Sequence, residues 1–225
     1  MQLKVIVTDI EGTTSALSFV KDVLFPYSRQ SMAEFVRQHK EESVVRVQLD
    51  SVRQVVGREM SDDQVIEQLL RWIHEDQKIT PLKVLQGMIW EAGYRKGDFK
   101  GHIYEDAFRN LCRWQEKGIK LYVYSSGSIQ AQKLLFSHTE YGDLTPLFSG
   151  FFDTYIGNKK APVSYQKIAE TIDEETKNIL FLSDSKEELD AARSAGMQTY
   201  WLVREGNLDP AAEHQQVADF DSISI

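Results

Sequence analysis

The stretch "VIVTDIEGTTS", Val5–Ser15, passes from strand-forming residues into two acids, a glycine and two threonines. A chain leaving a sheet needs polar residues at that point. It does not need two carboxylates two positions apart, which face the same way if the strand persists. Like charges held that close call for a counter-charge, and the rest of the chain shows where one belongs.

Outward from this segment, with the first strand read as Lys4–Asp9, further short, apolar, β-branched or aromatic runs read as strands. They are Ile119–Tyr124, Phe152–Gly157, Asn178–Ser183 and Gln198–Val203. Helical patterns lie between the later ones: "SIQAQKLLFSHT", "PVSYQKIAETI" and "SKEELDAARSAG", the last closed by Gly196. Alternating strand and helix predict an α/β core, a doubly wound, Rossmann-like parallel sheet.

Between the first and second strands the pattern is helical throughout. Val65, Ile66, Leu69, Leu70 and Ile73 form one apolar face behind a Ser61–Gln64 capping box, and Thr80-Pro81 reads as an N-cap followed by a first-turn proline. Residues 17–98 are therefore expected to form an inserted all-helical cap domain, with residues 1–16 and 99–225 forming the core. The glycine-bearing exits, Gly12–Ser18 and Gly93–Gly101, suit a hinge. Trp72 and Trp90 fall on apolar helical faces and are expected to pack the insert.

In a parallel sheet, ligands bind beyond the carboxyl ends of the strands. Those ends carry Asp9 and Glu11, then "SSGS" from Ser125, then Asn158, Lys159 and Lys160, then Asp184. Carboxylates converging within ~4 Å repel by on the order of 4 kcal/mol per pair at an effective dielectric near 20. Carboxylates, a backbone carbonyl and waters make an all-oxygen ligand set, which suits magnesium, and no Cys or His stands at these strand ends to favour zinc. Ser125, Ser126 and Gly127, followed by a helix start at Ser128, form an anion cradle that a following lysine completes. These parts suit an aspartate nucleophile that forms an aspartyl-phosphate, with Glu11 as general acid and base.

Composition limits the alternatives. The formal net charge of −8 over 225 residues disfavours nucleic-acid and anionic-membrane partners. The single Cys112 has no partner for an internal disulfide and sits in the helical run "YEDAFRNLCRWQEKG" as a small buried hydrophobe. No run is long and apolar enough for a signal peptide or membrane span, so a cytoplasmic location is expected. Of the five histidines, none falls at a predicted strand end; His102, in "KGHIYED", either packs the hinge or meets the cleft.

"DIEGTT", Ser125, Lys159 and "FLSDSKEE" resemble, in order, the four motifs of the haloacid dehalogenase superfamily of phosphohydrolases. "FVKDVLFPY", "LQGMIWEAGY", "GHIYEDA" and "YVYSSGSIQAQKLLF" narrow the resemblance to the enolase-phosphatase family of methionine salvage. The resemblance implies a haloacid dehalogenase core and a magnesium enzyme that enolises and then dephosphorylates 5-methylthio-2,3-dioxopentyl phosphate. By position it implies that Asp9 is nucleophile and metal ligand, that the Glu11 carbonyl and Asp184 are further ligands, that Ser125 and Ser126 bind substrate, and that Lys159 binds the phosphate. Glu11 itself, where most of the superfamily carries Asp, is the form typical of this narrower family. Lys160 is the fallback for Lys159, and Glu188 is either a second acid or half of a helix capping box with Ser185. Another magnesium-dependent small-molecule phosphomonoesterase of the same superfamily is the alternative activity. The expected partner is a small phosphorylated diketone, bound by a monomer.

Overall fold

The computed structural model describes residues 3–225. In chain order, β1 (Val5–Thr8) is followed by a six-residue π-helix, Phe19–Leu24, and by α1 (Phe25–His39), α2 (Ser43–Val56), α3 (Asp62–His74) and α4 (Thr80–Lys96). Then come α5 (Glu105–Glu116), β2 (Lys120–Tyr124), α6 (Ile129–Ser137), β3 (Phe148–Phe152) and α7 (Pro162–Thr171). The chain ends with β4 (Ile179–Ser183), α8 (Lys186–Ser194), β5 (Gln198–Leu202) and β6 (Gln216–Val217).

The strands form one six-stranded sheet in the order β3-β2-β1-β4-β5-β6, with every pairing parallel. β1 is central and wholly buried, with Val5 opposite both Lys120 and Ile179. Its unbroken apolar run is what a strand covered on both faces requires. On one side Val7, Tyr124, Tyr165, Ile168, Phe181 and Leu189 pack into a single cluster from strands and helices. The order reverses beside β1, so the crevice at the carboxyl ends of β1, β2 and β4 is the place where such a sheet binds ligands.

Residues Ser18–Phe99 form a separate compact, helical unit. Its core gathers Met32, Val36, Leu49, Val52, Leu69 and Leu85, all fully buried. The capping box is present, with Ser61 and Gln64 each bonded to the other's backbone amide. Val65, Ile66 and Leu69 are buried, while Leu70 and Ile73 pack at the edge. Trp72 joins this core, and Trp90 stacks near Phe25 while donating to the Leu24 carbonyl at 2.8 Å.

Four local expectations change. β3 is Phe148–Phe152, not Phe152–Gly157, because Leu121 and Tyr124 of β2 take Phe148 and Phe152 as partners. The residues after it are turned by Asp153, which accepts from the Tyr155 amide at 2.9 Å and from the Ile129 amide at 3.3 Å. β1 stops at Thr8, so Asp9 lies just past the strand and the alternation of a strand no longer governs Asp9 and Glu11. α4 begins one residue early: Ile79 is the N-cap and its carbonyl accepts from Lys83, which makes Thr80 the first helical residue. β6 was not expected; at two residues it carries no periodicity and is recruited by the backbone of β5.

α8 ends as anticipated at a left-handed Gly196, with the Met197 amide returning to the Ala192 carbonyl at 3.1 Å. His214, a polar residue of the terminal segment in sequence, has a fully buried side chain set between Thr199 and Asp190 at 2.9 and 2.8 Å. Among the described residues no helix is long and apolar enough to cross a membrane.

Candidate active site

Asp9 leaves β1 with its amide still bonded to the Leu182 carbonyl of β4, at 2.9 Å. The chain then folds back on itself: the Ile10 carbonyl accepts from the amides of Thr13, Thr14 and Ser15 at 3.2, 3.0 and 2.9 Å. The Thr14 hydroxyl closes the loop onto the Asp9 carbonyl at 3.1 Å. This reversal accounts for the glycine and for Thr14 after the acids, while the Thr13 hydroxyl is buried without a hydrogen-bond partner among the described residues. Gly12 is left-handed at φ +68°, and a Cβ there would come within 2.1 Å of Asp184 Oδ2. Gly12→Ala is therefore expected to lose about 1–2 kcal/mol from its backbone conformation alone and to displace the Asp184 carboxylate as well. Thermal denaturation checks the first effect; a melting temperature equal to wild type contradicts this packing.

Lys159 is buried and its ammonium lies 2.7 Å from both Asp9 Oδ1 and Glu188 Oε2. Burial alone would lower its pKa, but Asp9 and Glu188 outweigh burial and hold the ammonium above the ordinary lysine range. Glu188 in turn accepts from the Ser183 hydroxyl at 3.0 Å. Burial and the charge of Asp9 push its carboxyl upward against the pull of Lys159. Asp9 Oδ1 also accepts from the Ile10 amide at 2.8 Å; Oδ2 takes part in neither contact.

The lysine loop is fixed through its backbone. Tyr165 donates to the Lys159 carbonyl at 2.7 Å, Ser164 to the Asn158 carbonyl at 2.7 Å, and Tyr124 to the Gly157 carbonyl at 3.1 Å. Lys160, its neighbour, is exposed. Glu188 belongs to the Asp9 and Lys159 cluster and not to a capping box, since Ser185 makes no side-chain cap and its hydroxyl donates to Glu187 instead. Of the two readings the sequence leaves open for Glu188, the structure selects the acid; the sequence cannot choose because Ser-x-x-Glu ahead of a helix also has a purely local explanation.

Asp184 follows β4, with its carbonyl accepting from Trp201 Nε1 at 2.9 Å. The residue is open to solvent on one side, yet partial burial and then the charges of Asp9 and Glu11 outweigh Lys159 and push its carboxyl up to about 6. Glu11 is half-buried and bridges to Ser15. Ser125 is buried just past β2, with its amide on the Phe152 carbonyl and its hydroxyl accepting from Gly127; neither bond reaches Asp9 or Lys159. Ser126 is exposed beside it, and Ser128 caps α6 by accepting from the Ala131 amide at 3.2 Å. His102 accepts from the Ala16 amide at 3.0 Å and meets Tyr104 edge to face, so it packs the chain around the insertion points.

The charges of Asp9 and Glu11 thus bear on Asp184 and that of Asp9 on Glu188, while one ammonium, that of Lys159, lies between Asp9 and Glu188. That surplus of negative charge suits a divalent cation. Among the described residues no three His, Cys, Asp or Glu side chains gather as a metal cluster by themselves. A set of two carboxylates, a backbone carbonyl and waters needs no third side chain, and hard oxygen donors of this kind suit magnesium.

A family model described as haloacid dehalogenase-like hydrolase matches residues 3–196. The enolase-phosphatase E1 of Methylococcus capsulatus is 57% identical over 222 residues, covering 98% of this chain and 97% of its own. That of Thioalkalivibrio sulfidiphilus is 52% identical over 222 residues, covering 99% of each. Among solved structures, the UTR4 protein of Saccharomyces cerevisiae superposes with a TM-score of 0.84 at 31% identity, over 99% of this chain and 100% of its own. With a hydrolase match over most of its length and curated relatives above half identity end to end, the chain belongs to the haloacid dehalogenase-like hydrolases and, within them, to the enolase-phosphatase family.

Proposed function

We propose that the protein converts 5-methylthio-2,3-dioxopentyl phosphate to a dihydroxy methylthiopentenone and phosphate by enolisation followed by phosphoryl transfer to Asp9. The observation that carries this reading is the buried Asp9–Lys159–Glu188 cluster. A carboxylate held by a lysine at a strand end can attack phosphorus, and the lysine can follow the phosphoryl oxygens as charge shifts from Asp9 to phosphate. Glu188 keeps that lysine charged and in place. Ser125 and Ser126 receive the phosphate oxygens together with the backbone amides before α6. Glu11 protonates the leaving oxygen and then takes a proton from the water that opens the aspartyl-phosphate.

Asp9, the Glu11 carbonyl and Asp184 would hold magnesium, which when bound offsets the acids so that an anionic substrate can approach. Magnesium is then expected to stabilise the folded chain by about 2.7 kcal/mol at 100 times its dissociation constant. Melting temperature measured against magnesium concentration checks this without any turnover, and a flat response rejects the ligand set. The enzyme acts as a monomer in the cytoplasm.

Incubation with the diketone phosphate, following enol absorbance and phosphate together, tests the activity. Transient enol followed by phosphate is expected. Phosphate release from simple monoesters, with no enol from the diketone, would assign the site to a different phosphomonoesterase.

A further inference from the structure

Arg204, in the loop after β5, belongs to none of the motifs that carry the chemistry, yet its side chain is nearly buried. Its guanidinium donates twice to one atom of the loop that carries the acids, the Thr13 carbonyl, at 3.0 Å from Nε and 2.6 Å from Nη2. Nη1 donates to Asp106 Oδ2 at 2.8 Å, in the first turn of α5. The flat group lies 4.1 Å from the Tyr104 ring centroid and 5.1 Å from that of Phe220.

Each neighbour is itself anchored. Asp106 Oδ2 accepts from the Phe220 amide at 2.8 Å, Phe220 stacks on buried Trp114 at 5.4 Å, and the Tyr104 amide donates to the Thr14 carbonyl at 3.0 Å. The terminal segment and α5 therefore meet the Arg204 guanidinium, which the loop after β5 carries to the Thr13 carbonyl, three residues from Asp9's neighbour Ile10. That carbonyl lies at the far end of the turn closed by the Ile10 carbonyl, and Gly12 within the turn lies against Asp184.

We propose that Arg204 is a positioning residue for the reaction: by forking onto the Thr13 carbonyl it sets the turn that places Asp9 and Glu11 against Asp184. The inference rests on the assignment of Asp9 and Glu11 given above. A planar fork with two parallel donors is needed at this place, and an ammonium cannot reproduce it. Misplacement of reacting groups by about 1 Å costs on the order of 10²-fold in rate, so the brace should appear in kcat more than in substrate binding.

The test compares wild type, Arg204→Lys, Arg204→Ala and Asp9→Asn on the diketone phosphate, with hydrogen exchange of residues 10–15 measured on each folded protein. Arg204→Lys retains the charge opposite Asp106 and is the variant expected to fold. Expected are a fall in kcat approaching 10²-fold with little change in KM, faster exchange in residues 10–15, and partial recovery of kcat when guanidinium is added to Arg204→Ala. If Asp9→Asn is inactive and folded Arg204→Lys has wild-type kcat and exchange, the positioning role is overturned. If Asp9→Asn turns over normally, the assignment of the site has failed, which is a separate result.

Discussion

Asp9→Asn is expected to abolish phosphate release, by on the order of 10⁶-fold if it behaves as other removals of a covalent nucleophile do. An amide of the same shape is a poor nucleophile and brings no charge to a metal. The fold should survive the change. The Asn side-chain oxygen can still accept from the Ile10 amide, and Lys159 keeps Glu188 as its buried partner, so no ammonium is stranded without a counter-charge. Phosphate release and thermal denaturation measured together distinguish loss of chemistry from loss of structure. Appreciable turnover by a folded Asp9→Asn protein overturns the nucleophile assignment.

Glu11→Gln separates the two halves of the reaction. Losing a general acid and base is expected to slow dephosphorylation by roughly 10²–10⁴-fold. The Glu11 carbonyl and the turn through Ser15 are backbone features and remain, so the ligand set is kept. Enolisation moves a carbon-bound proton, and if another group moves it, the enol phosphate accumulates in this variant and is visible by absorbance before phosphate appears. Loss of both steps with magnesium binding unchanged assigns both to Glu11. Wild-type phosphate release rejects the acid-base role altogether.

The order of chemistry along the chain was legible without coordinates because each motif is local. A strand run followed by acids, a serine-glycine turn ahead of a helix, and a later strand followed by Asp184 each announce themselves within about ten residues. The helical insert was legible for the same reason: the Ser61–Gln64 box and the face beginning at Val65 are both set by contacts within one or two turns. β3 was misplaced because Phe148–Phe152 and the stretch after it are both apolar and aromatic, and only the register with β2 selects between them.

What the sequence by itself determined is therefore the α/β class, the helical insertion and the candidate acids, since these follow from periodicity and from residue chemistry at strand ends. Tertiary structure alone decided which side chains meet. Lys159 is buried against Asp9 while Lys160 faces solvent, although the two are neighbours in one loop. Glu188, open in sequence between a second acid and a helix cap, becomes the second partner of that lysine, and Arg204 reaches back across the chain to the Thr13 carbonyl. Those pairings depend on where the sheet brings distant loops together. A charge in a low-dielectric crevice takes the partner that topology places beside it, and local patterning carries no record of that partner.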